Sequence, residues 1–228
     1  MPEESDDKGL AMTSSFSCML LSLLLLFDLK HFDENERRVQ KVIADSQVLV
    51  ANYGDYIRDM ADTGFERIVY LGSSALKALA REAALKTLEL SSGRVTAVSE
   101  SALGFRHGPK CIVNNKTIVF VLLSGQPYTR QYELDILREL DRERSGYKIA
   151  VVGYANDDEA NQSADYSLVV DKAGTWPEDA YSALAYAVFA QMFAFYNSLK
   201  LGNNPDNPRP DGVINRVVQG VVIYPYAG

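Results

Sequence analysis

His107 is one of only two histidines in the 228-residue chain, and the sequence places it in a turn. Gly108 follows it and lets the backbone bend where a side chain would obstruct, and Pro109 fixes the next φ angle. The imidazole is therefore presented from a stiffened loop. Because histidine changes charge near neutral pH, this loop is a candidate for general acid–base chemistry.

A second candidate lies on a predicted helix. Glu82, Lys86 and Glu89 follow one another at i, i+4 and i+7, so the three charges share one face. The opposite face carries an apolar stripe of Leu76, Leu79, Ala80, Ala83, Ala84 and Leu88. One interpretation is a solvated salt-bridge stripe. The other is a catalytic pair, in which the Lys86 ammonium lies close enough to hold Glu89 ionised as a base.

Hydroxyl-bearing residues at three points are candidates for binding an anion. They are Thr13, Ser14, Ser73, Ser74, Ser124 and Thr129. The first pair begins an apolar helix, the second pair follows a strand, and the last two lie where a strand ends and a helix begins. Helix N-termini and turns of this kind offer hydroxyls and free backbone N–H groups to phosphate. Plain capping and turn formation explain the same residues.

Short apolar runs alternate with longer segments of helical periodicity. We predict strands at 67–71, 95–98, 117–123, 148–152 and 167–170. Helices are predicted around 34–62, with a break near Tyr53 and Gly54, after Ser74 with apolar positions as far as Leu88, and around 129–144 and 178–200. This alternation indicates a doubly wound α/β domain, a five-stranded parallel sheet flanked by helices. Ligands bind beyond the carboxyl ends of such strands, where Ser73, His107 and Ser124 fall.

Composition and charge argue against several kinds of partner and cofactor. The net charge of -7 disfavours a nucleic-acid partner, which would need a basic face. Cys18 and Cys111 lie far apart and suggest neither a zinc site nor a disulfide, so we expect two buried thiols in a reducing cytoplasm. We expect no metal and no redox cofactor.

The apolar run 18–27 is preceded by acidic rather than basic residues, which argues against a signal peptide. The run is also shorter than the roughly 20 residues that span a bilayer, so no membrane contact is expected. We predict a buried helix here.

The loop 105–109, Phe-Arg-His-Gly-Pro, resembles a loop of the sugar isomerase (SIS) domain family, which handles phosphosugars. The nearest likeness is to tagatose-6-phosphate ketose/aldose isomerase-like proteins, also described as galactosamine-6-phosphate deaminases. The resemblance implies a flavodoxin-like SIS fold and a phosphorylated hexose or hexosamine as substrate. Arg106 in the loop is a candidate substrate contact.

Residues 84–90 resemble a segment of the isomerase half of glucosamine-6-phosphate synthase, another SIS protein. The resemblance implies that Lys86 and Glu89 are active-site residues and that Glu89 moves the proton between C1 and C2. It also implies that His107 assists ring opening, although the interval from Glu89 is two residues longer here. Arg216 falls where that enzyme has an active-site lysine, and anchoring of the tail is an equal alternative for it.

The same resemblance implies a division of the chain. Residues 1–62 resemble the end of a first SIS domain followed by a helical lead-in, 63–200 form the SIS domain, and 201–228 form a tail that closes over the sugar. The chain thus resembles the carboxyl-terminal portion of a longer family member. SIS proteins usually form dimers or tetramers, and His107 is expected to complete the active site of a neighbouring subunit.

The sequence therefore predicts a cytoplasmic isomerase or deaminase that converts galactosamine 6-phosphate, or a related hexose phosphate, to tagatose 6-phosphate. A non-catalytic phosphosugar-binding module is the main alternative. A purely structural component of an oligomer is a third possibility. His31, in a helix connection, is assigned a structural or solvated role.

Overall fold

The computed structural model describes residues 2–171 and 174–226. Its strands are β1 (Arg67–Leu71), β2 (Thr96–Glu100), β3 (Thr117–Leu122), β4 (Lys148–Gly153) and β5 (Tyr166–Val169). Its helices are α1 (Ser14–Leu26), α2 (Phe32–Asp62), α3 (Ala75–Leu90), α4 (Ala102–Phe105), α5 (Pro127–Arg142), α6 (Asp158–Gln162) and α7 (Asp179–Lys200). The strands form one parallel sheet in the order β2-β1-β3-β4-β5. The predicted α/β class with five parallel strands is confirmed.

The central strands are buried on both faces, because their side chains alternate between two helical layers. Tyr70 faces the layer of α2, α3 and α7, together with Phe120, whose ring centroid lies 5.0 Å from that of Tyr70. Val69 faces the opposite layer, which contains α4, α5 and α6. Unbroken apolar strands of this kind require cover on both sides, and this requirement produces the doubly wound arrangement.

The predicted break near Tyr53 and Gly54 is wrong, because α2 runs without interruption from Phe32 to Asp62. Helix α2 packs along α7, and a Cβ atom added at Gly54 would lie 3.4 Å from the Tyr196 hydroxyl. The burial of α2 against α7 outweighs the low helix propensity of one glycine.

The prediction of a buried helix at 18–27 is also wrong. No residue of α1 is buried. Phe16, Leu20 and Leu24 pack against the core, whereas Met19 and Leu23 are about half exposed. A helix that is apolar on all sides but packs on only one side must leave apolar surface uncovered.

Within the described ranges, no single helix is long and apolar enough to cross a membrane. Among the described residues, helix α1 and the helical segment Leu29–Asp62 have the length and apolar composition of a membrane span only when taken together, and they are bent by 87° relative to each other.

Replacement of Gly54 by alanine should stabilise the protein by about 0.5–1 kcal/mol, because glycine costs conformational entropy inside a helix and the space beside Tyr196 admits a methyl group. Urea unfolding measures the change. The reverse substitution at the exposed Ala51 of α2 should destabilise by a similar amount. A destabilised Gly54→Ala variant would contradict the continuous helix.

Candidate active site

A cleft of about 690 Å³ lies between three segments of the chain. Its walls come from the region around Leu10 and Met12, from the second half of α3, and from the tail near Arg209 and Arg216. Small-molecule sites usually have volumes of roughly 300–1,000 Å³, so the cleft suits a ligand of hexose-phosphate size.

Lys86 lies in this cleft, and its side chain is only 4% exposed. Its Nζ atom donates a hydrogen bond of 2.7 Å to Oε2 of Glu89 and lies 3.3 Å from Oε1 of Glu82. A solvated stripe would leave the lysine in water, so that interpretation of the three charges is wrong. Burial of an ammonium group is costly unless opposite charges contact it, and both carboxylates do.

Glu82 belongs to the charged face of α3 but was not among the predicted site residues. Burial raises the pKa of its carboxyl group, and the neighbouring Lys86 ammonium opposes that rise. Its position four residues before Lys86 could have identified it from the sequence. The apolar residues Leu85 and Leu88 line the same cleft and are almost half exposed, so the prediction that Leu88 lies on the face opposite the charges is wrong.

Two arginines from the tail line the same cleft. The Arg216 guanidinium pairs with the Asp6 carboxylate, which ties the tail to the amino-terminal segment. Arg209, which the sequence analysis missed, holds both carboxylate oxygens of Asp211 at 2.8 Å and donates to the Ser92 carbonyl. The wall that the tail contributes therefore carries two guanidinium groups, each paired with a carboxylate of the chain.

The N-terminus of α1 binds a carboxylate of the chain itself. Asp7 accepts hydrogen bonds from the backbone N–H groups of Thr13, Ser14 and Ser15 at 2.8–3.1 Å and from the Thr13 and Ser14 hydroxyls, each at 2.7 Å. Partial burial raises the Asp7 pKa, but these hydrogen bonds lower it well below its usual range. Thr13 and Ser14 are predicted to bind an anion, and in the structure that anion is the Asp7 carboxylate.

The predicted anion site after β3 is likewise occupied by carboxylates of the chain itself. Asp179 accepts from the Ser124 hydroxyl at 2.6 Å and from the Gly125 N–H at 2.7 Å, and Glu133 accepts from the Ser124 N–H at 2.7 Å. The turn after β3 is thus held by two buried carboxyl groups, Glu133 on α5 and Asp179 at the start of α7.

The two remaining hydroxyls lie at helix starts. Ser74 has a φ of 53° and precedes α3, and Thr129 lies in the first turn of α5. Among the described residues, the lining of the Lys86 cleft does not include them, nor does it include Ser73 or Ser124.

Burial raises the pKa of Glu133 to about 7. The Ser124 N–H and the Ser73 hydroxyl oppose the rise, and the nearby Asp179 charge adds to it. The ordinary value is 4.5, so Glu133 is partly protonated at neutral pH in the folded protein.

His107 is exposed, in a loop separate from the cleft. Gly108 has a φ of 130°, which confirms the bend predicted from its sequence. Arg106 forms ion pairs with Asp135 at 2.8 Å and Glu139 at 2.9 Å on α5. Among the described residues, the structure therefore brings Lys86, Glu89 and Arg216 to one cleft and leaves Arg106 and His107 outside it.

The structure also places the other polar candidates. Cys18 is partly exposed and Cys111 is exposed, so the prediction of two buried thiols is wrong; both thiols are free. Within residues 2–171 and 174–226, no group of three or more His, Cys, Asp or Glu side chains could hold a metal ion. His31 is solvated and contacts Asp28 at 2.7 Å.

No family model matches the chain. It is 39% identical to a D-galactosamine-6-phosphate deaminase of Escherichia coli, in a match that covers 99% of this chain and 58% of that protein. A D-galactosamine-6-phosphate deaminase of a Shewanella species is 38% identical, with 99% and 54% covered. The chain thus spans little more than half the length of these relatives.

A solved structure of similar fold is that of a tagatose-6-phosphate ketose/aldose isomerase from Escherichia coli. Its TM-score is 0.86 and its identity 35%, over 100% of this chain and 58% of that one. These matches confirm the family resemblance that the sequence indicates.

The pKa of Glu133 predicts a dependence of stability on pH. Between its unfolded value of 4.5 and its folded value of about 7, the folded state retains a proton that the unfolded state has lost. This contribution to stability is fully present below pH 4.5 and is lost as the pH rises through about 7.

The glutamine of Glu133→Gln does not titrate. Between about pH 5 and about pH 8, the free energy of unfolding of this variant should therefore fall less than that of the wild type, by up to about 3 kcal/mol. Urea unfolding at several pH values gives the comparison. Parallel pH profiles for the two proteins would show that Glu133 does not titrate in this range.

Proposed function

We propose that this chain, a homologue of the galactosamine-6-phosphate deaminases with the SIS-type sugar isomerase fold, converts galactosamine 6-phosphate or a related hexose phosphate to tagatose 6-phosphate. One observation carries the proposal: a buried lysine is hydrogen-bonded to Glu89 in a cleft of the right size, with arginines on its tail wall. The names of the relatives support the choice of substrate.

Glu89 is the base in this proposal. With the sugar ring open, its carboxylate removes the proton from C2, the electrons form an enediol or, for an amino sugar, an enaminol, and the proton returns to C1. A 2-hydroxy sugar then becomes a ketose. A 2-amino sugar becomes an imine at C2, and addition of water with loss of ammonia gives the same ketose, so the deaminase step is a hydrolysis.

Lys86 and Glu82 support that base. Lys86 fixes one oxygen of Glu89 at 2.7 Å, so the second oxygen is available to the carbon-bound proton. Glu82 supplies the second negative charge near the buried ammonium. Arg209 and Arg216 place guanidinium groups on the tail side of the cleft, where an anionic phosphate would have to compete with Asp211 and Asp6 for them.

The division of the chain follows from the same proposal. Residues 63–200 supply the base, 1–62 contribute the wall at Leu10 and Met12, and the tail 201–228 covers the sugar. His107 would open the sugar ring in the cleft of a neighbouring copy, because it is exposed and lies outside its own cleft. The protein would then be a homo-oligomer in the cytoplasm.

A non-catalytic phosphosugar-binding module is the competing function. His107 lies outside the cleft of its own chain, which favours this function because one copy alone lacks the group that would open the sugar ring. Such a module would bind the sugar phosphate and release no ammonia.

Replacement of Glu89 by glutamine should lower ammonia release from galactosamine 6-phosphate by about 100- to 10,000-fold, because an amide cannot accept the proton. A coupled assay for ammonia, with ketose phosphate measured alongside, gives the rate. Glu66→Gln is a matched control, since Glu66 is exposed and pairs with Lys116 away from the cleft. No turnover by the wild type, together with a rise in its melting temperature on adding the sugar, would contradict catalysis and favour the binding module.

A shared site predicts complementation between inactive variants. His107→Asn and Glu89→Gln, each with only a small residual activity alone, should recover about a quarter of wild-type turnover when co-assembled as a dimer, because half of the dimers are mixed and each has one intact site. Lys86→Met mixed with Glu89→Gln is the control and should recover nothing, since both changes affect the same cleft. Equal results from the two mixtures would exclude a shared site.

A further inference from the structure

The His107 loop is held against α5 by the two basic residues that flank the histidine. Arg106 precedes it and contacts Glu139 at 2.9 Å, between Nε and Oε2. Lys110 follows three positions later and hydrogen bonds to the other oxygen of the same carboxylate, Oε1. One side chain, Glu139, thus joins both sides of the loop to the helix.

Two further carboxylates on the same face of α5 each contact one of these cations. Asp135 lies 2.8 Å from Arg106, and Glu143, one residue beyond the helix, lies 2.8 Å from Lys110. They stand four residues before and after Glu139, so the three form a ladder along the helix. Glu139 is the central member and is 18% exposed, against 52% and 47% for the outer two. Water therefore screens its ion pairs least.

The ends of the loop are fixed by other contacts. On the amino-terminal side, Ser101 accepts the Gly104 N–H at 3.0 Å and the Phe105 ring is fully buried. On the carboxyl-terminal side, Arg67 donates to the Ile112 carbonyl at 2.7 Å. His107 remains exposed between these anchored positions.

We propose that Glu139 is a positioning residue for His107: by binding Arg106 and Lys110 with its two oxygens, it fixes the loop that presents the imidazole. The inference rests on the proposed function, in which His107 moves a proton during ring opening. A proton-transfer group must lie within hydrogen-bond reach of the atom it serves, and a displacement of about 1 Å can cost about 100-fold in rate. Surface loops are more mobile than the elements that they connect, so ion pairs at both flanks restrict where this imidazole can lie.

The chain offers two matched controls. Glu139→Gln removes the charge that both cations share, whereas Asp135→Asn and Glu143→Gln each remove one outer contact and leave Glu139 in place. For galactosamine 6-phosphate turnover, Glu139→Gln should lower kcat by about 10- to 100-fold with little change in KM, and each control should lower kcat by less than about 3-fold. Circular dichroism and melting temperature check that each variant folds.

A double-mutant cycle separates positioning from general loss of structure. In a His107→Asn background, Glu139→Gln should cause no further loss of kcat, because the group that it positions is gone. A further loss as large as that in the wild type would overturn the proposal. So would a Glu139→Gln variant with unchanged kcat in an active protein.

The imidazole signals in NMR test the loop without relying on turnover. The chain has two histidines, so His107→Asn assigns the signal of His107. Glu139→Gln should shift or broaden that signal, and the two control variants should not. If the wild type releases no ammonia, the proposed function fails, and this signal alone decides whether Glu139 holds the loop. An unchanged His107 signal in Glu139→Gln would overturn the proposal.

Discussion

Burial of both faces of the parallel sheet is the constraint on which the rest of the molecule depends. The strands β1 and β3 are shut off from water, so helices must cover both sides and polar groups at the strand ends need partners inside the protein. Glu133 and Asp179 meet that need at Ser124 and Gly125. At the edge where such sheets usually bind a ligand, these polar groups are therefore hydrogen-bonded within the protein, and the open cleft lies beside α3 instead.

Two buried charged groups illustrate how their partners determine their chemistry. Lys86 has carboxylates at 2.7 and 3.3 Å. Glu133 accepts the Ser124 N–H, and burial raises its pKa to about 7. Burial raises the pKa of a carboxyl group that no cation contacts, whereas a buried ammonium group requires carboxylates in contact with it. The first arrangement suits proton transfer from a sugar, and the second links the sheet to α5.

Local patterns predicted most elements of the fold, because unbroken apolar runs and helical periodicity are properties of neighbouring residues. The same patterns could not say which apolar surface is covered. Leu88 has the spacing of a core residue but lines the cleft, and Met19 belongs to an apolar helix but is about half exposed. The hydroxyls at Ser14 and Ser124 were identified as anion ligands, yet the anions that they bind are carboxylates of the chain itself.

The sequence by itself determined the α/β alternation, the shared helical face of Glu82, Lys86 and Glu89, and the bend after His107, because each depends on residues within a few positions of one another. Only the tertiary structure decided that Lys86 is buried and that Arg216 meets Asp6, 210 positions away. It also decided that the flanks of His107 are fixed by Glu139. Burial and long-range ion pairs arise from the packing of whole elements, and no local spacing specifies them.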